Sequence, residues 1–86
     1  MGLKEDVVAA LGPVLDHPQF ELEPTGSGKI GGVIVSGSFE GLDQTARQDL
    51  IWNRLDERLE DAEKIQIVAL ITLTPGEAAV ESASAQ

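Results

Sequence analysis

The spacing of apolar residues changes along this 86-residue chain, and this change is the strongest constraint on its fold. In residues 3–15 and again in 43–62, apolar residues recur every three or four positions, as on the buried side of an amphipathic helix. Residues 20–24, 30–36 and 64–74 instead alternate between apolar and polar or are continuously apolar, which is typical of strands. The predicted order is therefore helix, strand, strand, helix, strand, and the fold class is α+β.

Turn-forming residues decide how these elements should connect. Thr25 to Lys29 form a short glycine-rich turn, which predicts an antiparallel hairpin, and Asp43 is a suitable N-cap for the long helix. A helical crossover after the hairpin should return the last strand parallel to the second. We therefore expect a three-stranded mixed sheet with both helices on one face.

The last strand should place alternate residues on opposite faces of the sheet. The residues expected on the helix-covered face are apolar: Ile65, Ile67, Ala69, Ile71 and Leu73. The residues expected on the open face are mixed: Gln66, Val68, Leu70, Thr72 and Thr74. An open face with apolar side chains would be available to a partner or to a second copy of the chain.

The length predicts one domain with one hydrophobic core. We place this domain at residues 1–76, where Pro75 and Gly76 end the last strand. Residues 77–86 are dominated by Ala, Glu and Ser and contain no aromatic residue, so they are expected to form a flexible C-terminal tail.

Composition excludes several classes of function. Fifteen acidic and six basic residues give a net charge of −9, which makes nucleic acid an unlikely partner because phosphate binding needs clustered Lys and Arg. The absence of cysteine excludes disulfides, thiolate metal ligands and thiol nucleophiles, and it favours the cytoplasm. No apolar run approaches about 20 residues, so neither a membrane span nor a signal peptide is expected.

Two features that could suggest an enzyme have simpler interpretations. Residues 26–31 match the G-x-G-x-x-G pattern of nucleotide-binding loops, but a strand follows where a phosphate-binding helix should begin, so they predict a hairpin turn. His17 is the sole imidazole and lies between Asp16 and Pro18, where we expect it to face solvent. No nucleophile and base can be paired, and the chain is predicted not to be an enzyme.

The second helix contains two further candidate features. Its acidic end, residues 56–63, lies beside Arg54 and includes Arg58, which favours a solvated surface over a metal site, with a network of ion pairs as the alternative. Gln48 and Trp52 are helix neighbours that lie off the apolar stripe. Trp52 either covers the edge of the core or contacts a partner, and both interpretations remain open.

A set of residues across about half of the chain resembles the BolA family. They run without gaps from the second strand to the end of the last: Val33-Ile34-Val35-Ser36, Phe39, Gly41, Ala46-Arg47, Ile51-Trp52, Leu55, Ala69 and Thr74-Pro75-Gly76-Glu77. The resemblance implies the family's fold, a type II KH-like arrangement in the order α-β-β-α-α-β.

The resemblance also implies a function. BolA-like proteins are small regulatory proteins linked to stress responses and, in some members, to transcription. They pair with a monothiol glutaredoxin and share a bridging [2Fe-2S] cluster with it. The family's helix histidine falls on Gln48, a histidine of the last strand falls on Gln66, and the Thr25–Lys29 turn has no Cys or His. We therefore expect this chain to hold no cofactor directly.

The expected partner surface comprises Arg47, Gln48, Trp52 and Gln66. On this interpretation the chain is a monomer, or a weak homo-oligomer, that binds a protein partner such as a monothiol glutaredoxin. Two alternatives are a KH-like protein that binds nucleic acid or regulates transcription, and a self-associating structural module that uses the open face of the sheet.

Overall fold

The computed structural model describes residues 2–26 and 28–84. The helices are α1 Leu3–Leu11, α2 Gln44–Arg58, α3 Asp61–Lys64 and α4 Pro75–Ser84. The strands are β1 Gln19–Gly26, β2 Lys29–Val35 and β3 Ile67–Leu73. Short 3₁₀ turns follow α1 at Gly12–Val14 and precede α2 at Gly37–Phe39. Within the described residues, no helix is both long enough and apolar enough to cross a bilayer.

The three strands form one mixed sheet in the order β1-β2-β3. β1 and β2 pair antiparallel, with Phe20 opposite Ile34, whereas β2 and β3 pair parallel, with Val33 opposite Ile71. The predicted α+β class and the predicted mixed sheet are both confirmed.

A single apolar cluster fills the space between the sheet and the helices α1 and α2. Its members are Val7, Ala10, Leu11, Leu15, Leu22, Ile30, Ile34, Phe39, Ile51, Leu55, Leu59, Ile67 and Leu70. Six of the thirteen are positions that the three- and four-residue spacing of the helices had marked: Val7, Leu11, Leu15, Ile51, Leu55 and Leu59. Because both helices contribute to this one cluster, they cover the same face of the sheet, as predicted.

The second helix is interrupted four residues before its predicted end. α2 ends at Arg58, and Leu59 adopts an extended backbone that carries its side chain into the core at 6% exposure. The Glu63 carboxylate then accepts a hydrogen bond from the Glu60 backbone N–H at 3.0 Å and caps the start of α3. The interruption gives the order α-β-β-α-α-β that the resemblance implied.

The prediction of which face of β3 lies open holds at Ile67 and Val68 but is wrong beyond them. Ile67 is buried and Val68 is 59% exposed, as expected, whereas Leu70 and Thr72 are buried and Ile71 is 54% exposed. The pairing register shifts at the start of β3, because Ile67 lies opposite Ile30 and Ala69 lies opposite Gly31. Such a bulge places one extra residue in the strand and reverses the alternation that follows it.

The buried threonines of β3 are tolerated because their hydroxyls have partners. The Thr72 hydroxyl donates to Gln44 Oε1 at 3.1 Å, and the Thr74 hydroxyl accepts from the Glu77 backbone N–H at 3.1 Å. A buried hydroxyl costs little free energy when it is hydrogen-bonded. Polar residues therefore occupy a face that the apolar pattern alone would assign to solvent.

The segment expected as a flexible tail, residues 77–86, is helical as far as Ser84, and the last two residues lie outside the described part of the chain. Pro75 occupies the first turn of α4, where its missing N–H costs nothing, and Ala and Glu favour the helix. α4 is thus continuous with the folded region beyond the predicted boundary at residue 76.

The close approach of β1 and β2 predicts that Gly32 cannot be replaced. A Cβ atom at Gly32 would overlap the backbone carbonyl of Glu21 and lie 2.9 Å from Leu22 Cα. We expect Gly32→Ala to lower the free energy of unfolding by about 2 kcal/mol or more, since the strands must move apart. Urea unfolding followed by far-ultraviolet circular dichroism measures this change.

Gly12→Ala is the matched control for this substitution. No atom lies within 4 Å of a Cβ at Gly12, and its backbone is right-handed helical with φ −51°. Its stability should change by less than about 1 kcal/mol, because the reduced freedom of the unfolded chain is offset by the preference of a residue before Pro13 for an extended backbone. Equal stabilities for the two variants would contradict the described strand packing.

Candidate functional site

The start of α2 is fixed by its cap, and this fixes which of its side chains face β3. The Asp43 carboxylate accepts a hydrogen bond from the Ala46 backbone N–H at 2.8 Å, which confirms Asp43 as the N-cap. From this start, Arg47, Gln48 and Trp52 lie where α2 passes the outer strand of the sheet.

Arg47 lies inside the protein rather than on a contact surface. The residue is 5% exposed, and its Nε donates to the carbonyl oxygens of Phe39 at 3.1 Å and Leu42 at 2.9 Å. Its Nη1 donates to the Thr72 carbonyl at 3.2 Å and to Glu77 Oε1 at 2.7 Å, and Nη2 donates to Glu77 Oε2 at 3.2 Å. The expected role of Arg47 in partner contact is therefore corrected to a structural one.

Glu77 pairs with the buried guanidinium group of Arg47. This contact was not predicted, because residue 77 was assigned to the C-terminal tail. Its carboxylate also accepts from the Thr74 backbone N–H at 2.9 Å, while its own N–H bonds to the Thr74 hydroxyl. The hydrogen bonds from Arg47 and Thr74 lower the pKa of Glu77 from 4.5 to about 2. The sequence did contain a signal for a helix start here, because Thr74-Pro75-Gly76-Glu77 has the spacing of a capping box.

Gln48 and Trp52 do contact each other, as their helical spacing predicted. The indole N–H of Trp52 donates to Gln48 Oε1 at 3.1 Å, and Gln48 Nε2 donates to the Leu70 carbonyl at 2.9 Å. Trp52 is half-buried and packs against the core. Its ring covers the edge of the core while part of it remains accessible on the surface of α2.

Side chains of α2 donate hydrogen bonds to two backbone carbonyls at the free edge of β3. The Leu73 carbonyl accepts from the Ser36 backbone N–H of the chain beside it, and successive carbonyls of a strand alternate in direction. The carbonyls of Leu70 and Thr72 therefore point away from β2, and Gln48 and Arg47 bind them. Side chains thus occupy positions at which another strand would otherwise pair.

Gln66 takes no part in the hydrogen bonds that the structure describes for the other predicted site residues. It is exposed in the turn between α3 and β3, and its backbone carbonyl accepts from the Ile30 N–H at 3.0 Å. Within residues 2–26 and 28–84, its side chain forms no hydrogen bond with Arg47, Gln48 or Trp52. The structure thus joins Gln48 to Trp52 by a hydrogen bond, and Gln66 is exposed outside that pair.

The features that resembled enzyme motifs have the structures that their context predicted. Gly26 and Gly28 adopt positive φ angles of 98° and 77° in the turn of the β1–β2 hairpin, and β2 follows directly. The His17 side chain is 89% exposed and lies 3.3 Å from the adjacent Asp16 carboxylate.

The acidic end of α2 forms ion pairs with nearby cations. Lys64 Nζ lies 2.7 Å from Asp56 Oδ1 and 3.1 Å from Asp61 Oδ1, while Arg54 Nη1 lies 3.6 Å from Glu57 Oε2. In the part of the chain that the structure describes, no cluster of three or more His, Cys, Asp or Glu residues has the geometry to hold a metal ion. The carboxylates of these pairs, Asp56, Glu57 and Asp61, are exposed, so the acidic end is a solvated surface that also carries ion pairs.

Comparison with known proteins connects this arrangement to a family. The structure is similar to the crystal structure of a Bol-like protein from Babesia bovis, with 30% sequence identity, a TM-score of 0.67 and 92% of each chain covered. The chain belongs to the BolA-like family. No family model matches the sequence, and the search of curated proteins found no significant match.

The fold of this chain agrees with its membership of the BolA-like family. The three-stranded mixed sheet and its helices correspond to this architecture, so the fold implied by the sequence resemblance is confirmed. In this BolA-like chain, the helix position that the resemblance assigns to histidine carries Gln48, whose amide links Trp52 to β3.

The ion pair between Arg47 and Glu77 predicts a specific dependence of stability on pH. The pKa of Glu77 is lowered in the folded state, so its stabilising contribution is complete above the ordinary value of 4.5 and is lost as the pH falls toward about 2. We expect Glu77→Gln to destabilise the protein most at neutral pH, and the difference from the parent to shrink steadily between about pH 5 and pH 2.

Urea unfolding across this pH range measures the difference, with Glu40→Gln as the control. Glu40 is exposed in the connection before α2. A stability difference for Glu77→Gln that stays constant from pH 7 to pH 2 would contradict the ion pair.

Proposed function

We propose that this chain is a non-enzymatic BolA-like adaptor of the cytoplasm that docks onto a monothiol glutaredoxin without supplying a ligand to its iron–sulfur cluster. Its role would lie in regulation linked to iron–sulfur metabolism or stress. The observation that carries this proposal is the Gln48–Trp52 pair on the α2 surface of a BolA-like fold.

The residues present do not fit a cluster ligand set. Thiolate and imidazole are the side chains that iron–sulfur sites use, and residues 48 and 66 both provide an amide instead. In addition, Gln48 Oε1 already accepts the Trp52 indole N–H, and Gln48 Nε2 donates to Leu70. Ligation by Gln48 would require both hydrogen bonds to break in exchange for a weak ligand.

Trp52 is the best available contact residue on this surface. Partly exposed tryptophans are frequent hot spots in interfaces because they bury a large apolar area at low entropic cost. Hydrogen bonding to Gln48 holds the ring in one orientation before a partner arrives. Exposed Gln66, at the start of β3, extends the proposed surface beyond α2.

The charge distribution does not favour the alternative of nucleic-acid binding. Three of the six basic residues, Arg47, Arg54 and Lys64, form ion pairs within the protein. Arg47 is also buried. The remaining cations are too few to form the basic patch that phosphate binding needs.

Docking predicts a localised response in an amide NMR titration with a monothiol glutaredoxin. We expect shifts at Gln48, Trp52 and Gln66 with both the cluster-free and the cluster-loaded partner. Trp52→Ala should weaken binding by about tenfold or more, because it removes the central apolar contact. Asn53→Ala, at an exposed position of the same helix, is the control and should leave binding unchanged. Absence of shifts with either form of the partner would contradict docking.

Visible absorption and circular dichroism of the cluster test the absence of ligation. The parent chain should leave the cluster bands of the glutaredoxin unchanged, because it offers no imidazole at residues 48 and 66. Gln48→His together with Gln66→His should alter them, since imidazole can replace another ligand. Altered bands with the parent chain would show that it does ligate the cluster, and would overturn that part of the proposal.

A further inference from the structure

The open face of the sheet has a depression that the α2 surface does not include. Gly31 and Ala69 form its floor, Val33, Val68 and Ile71 border it, and Glu23 lies at its rim. Its volume is about 270 Å³. The depression arises from two features of the backbone, a glycine in β2 and the bulge in β3 after which Ala69 and Ile71 lie on the exposed face beside Val68.

The border of this depression is apolar and accessible. Val68 is 59% exposed and Ile71 is 54% exposed, although both are large aliphatic side chains. Isolated exposed apolar residues are common, but a contiguous set around a concave surface is typical of a binding site.

The charges beside the depression are mainly negative. Register pairing places Glu21 and Glu23 of β1 on the same face as Val33 and Gly31, their partners in β2. Neither carboxylate forms an ion pair within residues 2–26 and 28–84. Lys29 shares this face at the hairpin end, so carboxylates predominate there as they do in the chain as a whole.

We propose that this depression binds a basic amphipathic helix of a partner protein. The aliphatic stem of a partner Lys or Arg lies over Gly31 and Ala69, its charged group pairs with Glu23, and neighbouring apolar side chains of the helix cover Val68 and Ile71. Lys and Arg suit this site because they combine an apolar stem with a terminal cation. This surface is additional to the proposed glutaredoxin-binding surface on α2.

Two observations favour a helix packed on this face over other occupants. A strand added at the edge of β3 would compete with Gln48 and Arg47 for the carbonyls of Leu70 and Thr72. A second copy of this chain would bring further carboxylates toward Glu23, since each copy carries a net charge of −9. A basic helix packed on the face of the sheet avoids both problems, because it needs no backbone carbonyl of β3 and carries the opposite charge.

The test uses a capped synthetic helix of about four turns with leucines at i, i+3, i+4 and i+7 and lysines on the flanks. A matched peptide carries glutamate in place of every lysine. In amide NMR titrations, the lysine peptide should shift Gly31, Val33, Ala69 and Ile71, and binding should weaken as salt is added. The glutamate peptide should not bind.

Substitutions separate this site from general charge attraction. Glu23→Lys should weaken binding of the lysine peptide by about tenfold, whereas Glu40→Lys, which changes the net charge equally, should change it less than about twofold. Val68→Ser removes an apolar border residue without changing charge and should weaken binding by about fivefold.

Several outcomes would overturn the proposal. These are equal losses for Glu23→Lys and Glu40→Lys, equal binding of the two peptides, or shifts confined to other surfaces. Shifts at Gly31 and Ile71 on concentrating the free protein, with a dimer in sedimentation, would assign the depression to a second copy instead.

Discussion

The guanidinium group of Arg47 is the interaction on which the rest of this structure depends. It joins the turn before α2, through Phe39 and Leu42, to the carbonyl of Thr72 in β3 and to the carboxylate of Glu77 in α4. A buried cation is stable when its donors are paired, and every buried side-chain nitrogen and oxygen of the described residues has a hydrogen-bond partner. One side chain therefore fixes where α2, β3 and α4 lie relative to one another.

The same region of α2 links structure to the proposed function. Gln48 binds the edge of β3 and orients Trp52, so the position that the family resemblance assigns to an iron ligand supports the surface that we propose for partner contact. An amide can perform this role because it offers both a donor and an acceptor. The chain has the BolA-like fold, while residues 48 and 66 offer neither thiolate nor imidazole.

The sequence predicted the order of elements and the mixed sheet because both follow from apolar periodicity and turn residues. The open face of β3 could not be predicted beyond Val68, since the bulge there reverses the alternation and the buried hydroxyl of Thr72 finds a partner in the side chain of Gln44. The burial of Arg47 was equally inaccessible, because charged residues are rarely buried and its acceptors are mostly backbone carbonyls from distant segments. The helix after Thr74 could have been found from its capping signal.

The exchange rate of the Arg47 Nε proton with water, measured by side-chain ¹⁵N NMR, tests the central claim most directly. Arg58, which is exposed on the same helix, provides the internal reference. If the Arg47 Nε–H donates to Phe39 and Leu42 inside the protein, its exchange should be slower than that of Arg58 by about a hundredfold or more. Equal exchange at the two arginines would show that Arg47 is open to solvent and would contradict the structural role assigned to it.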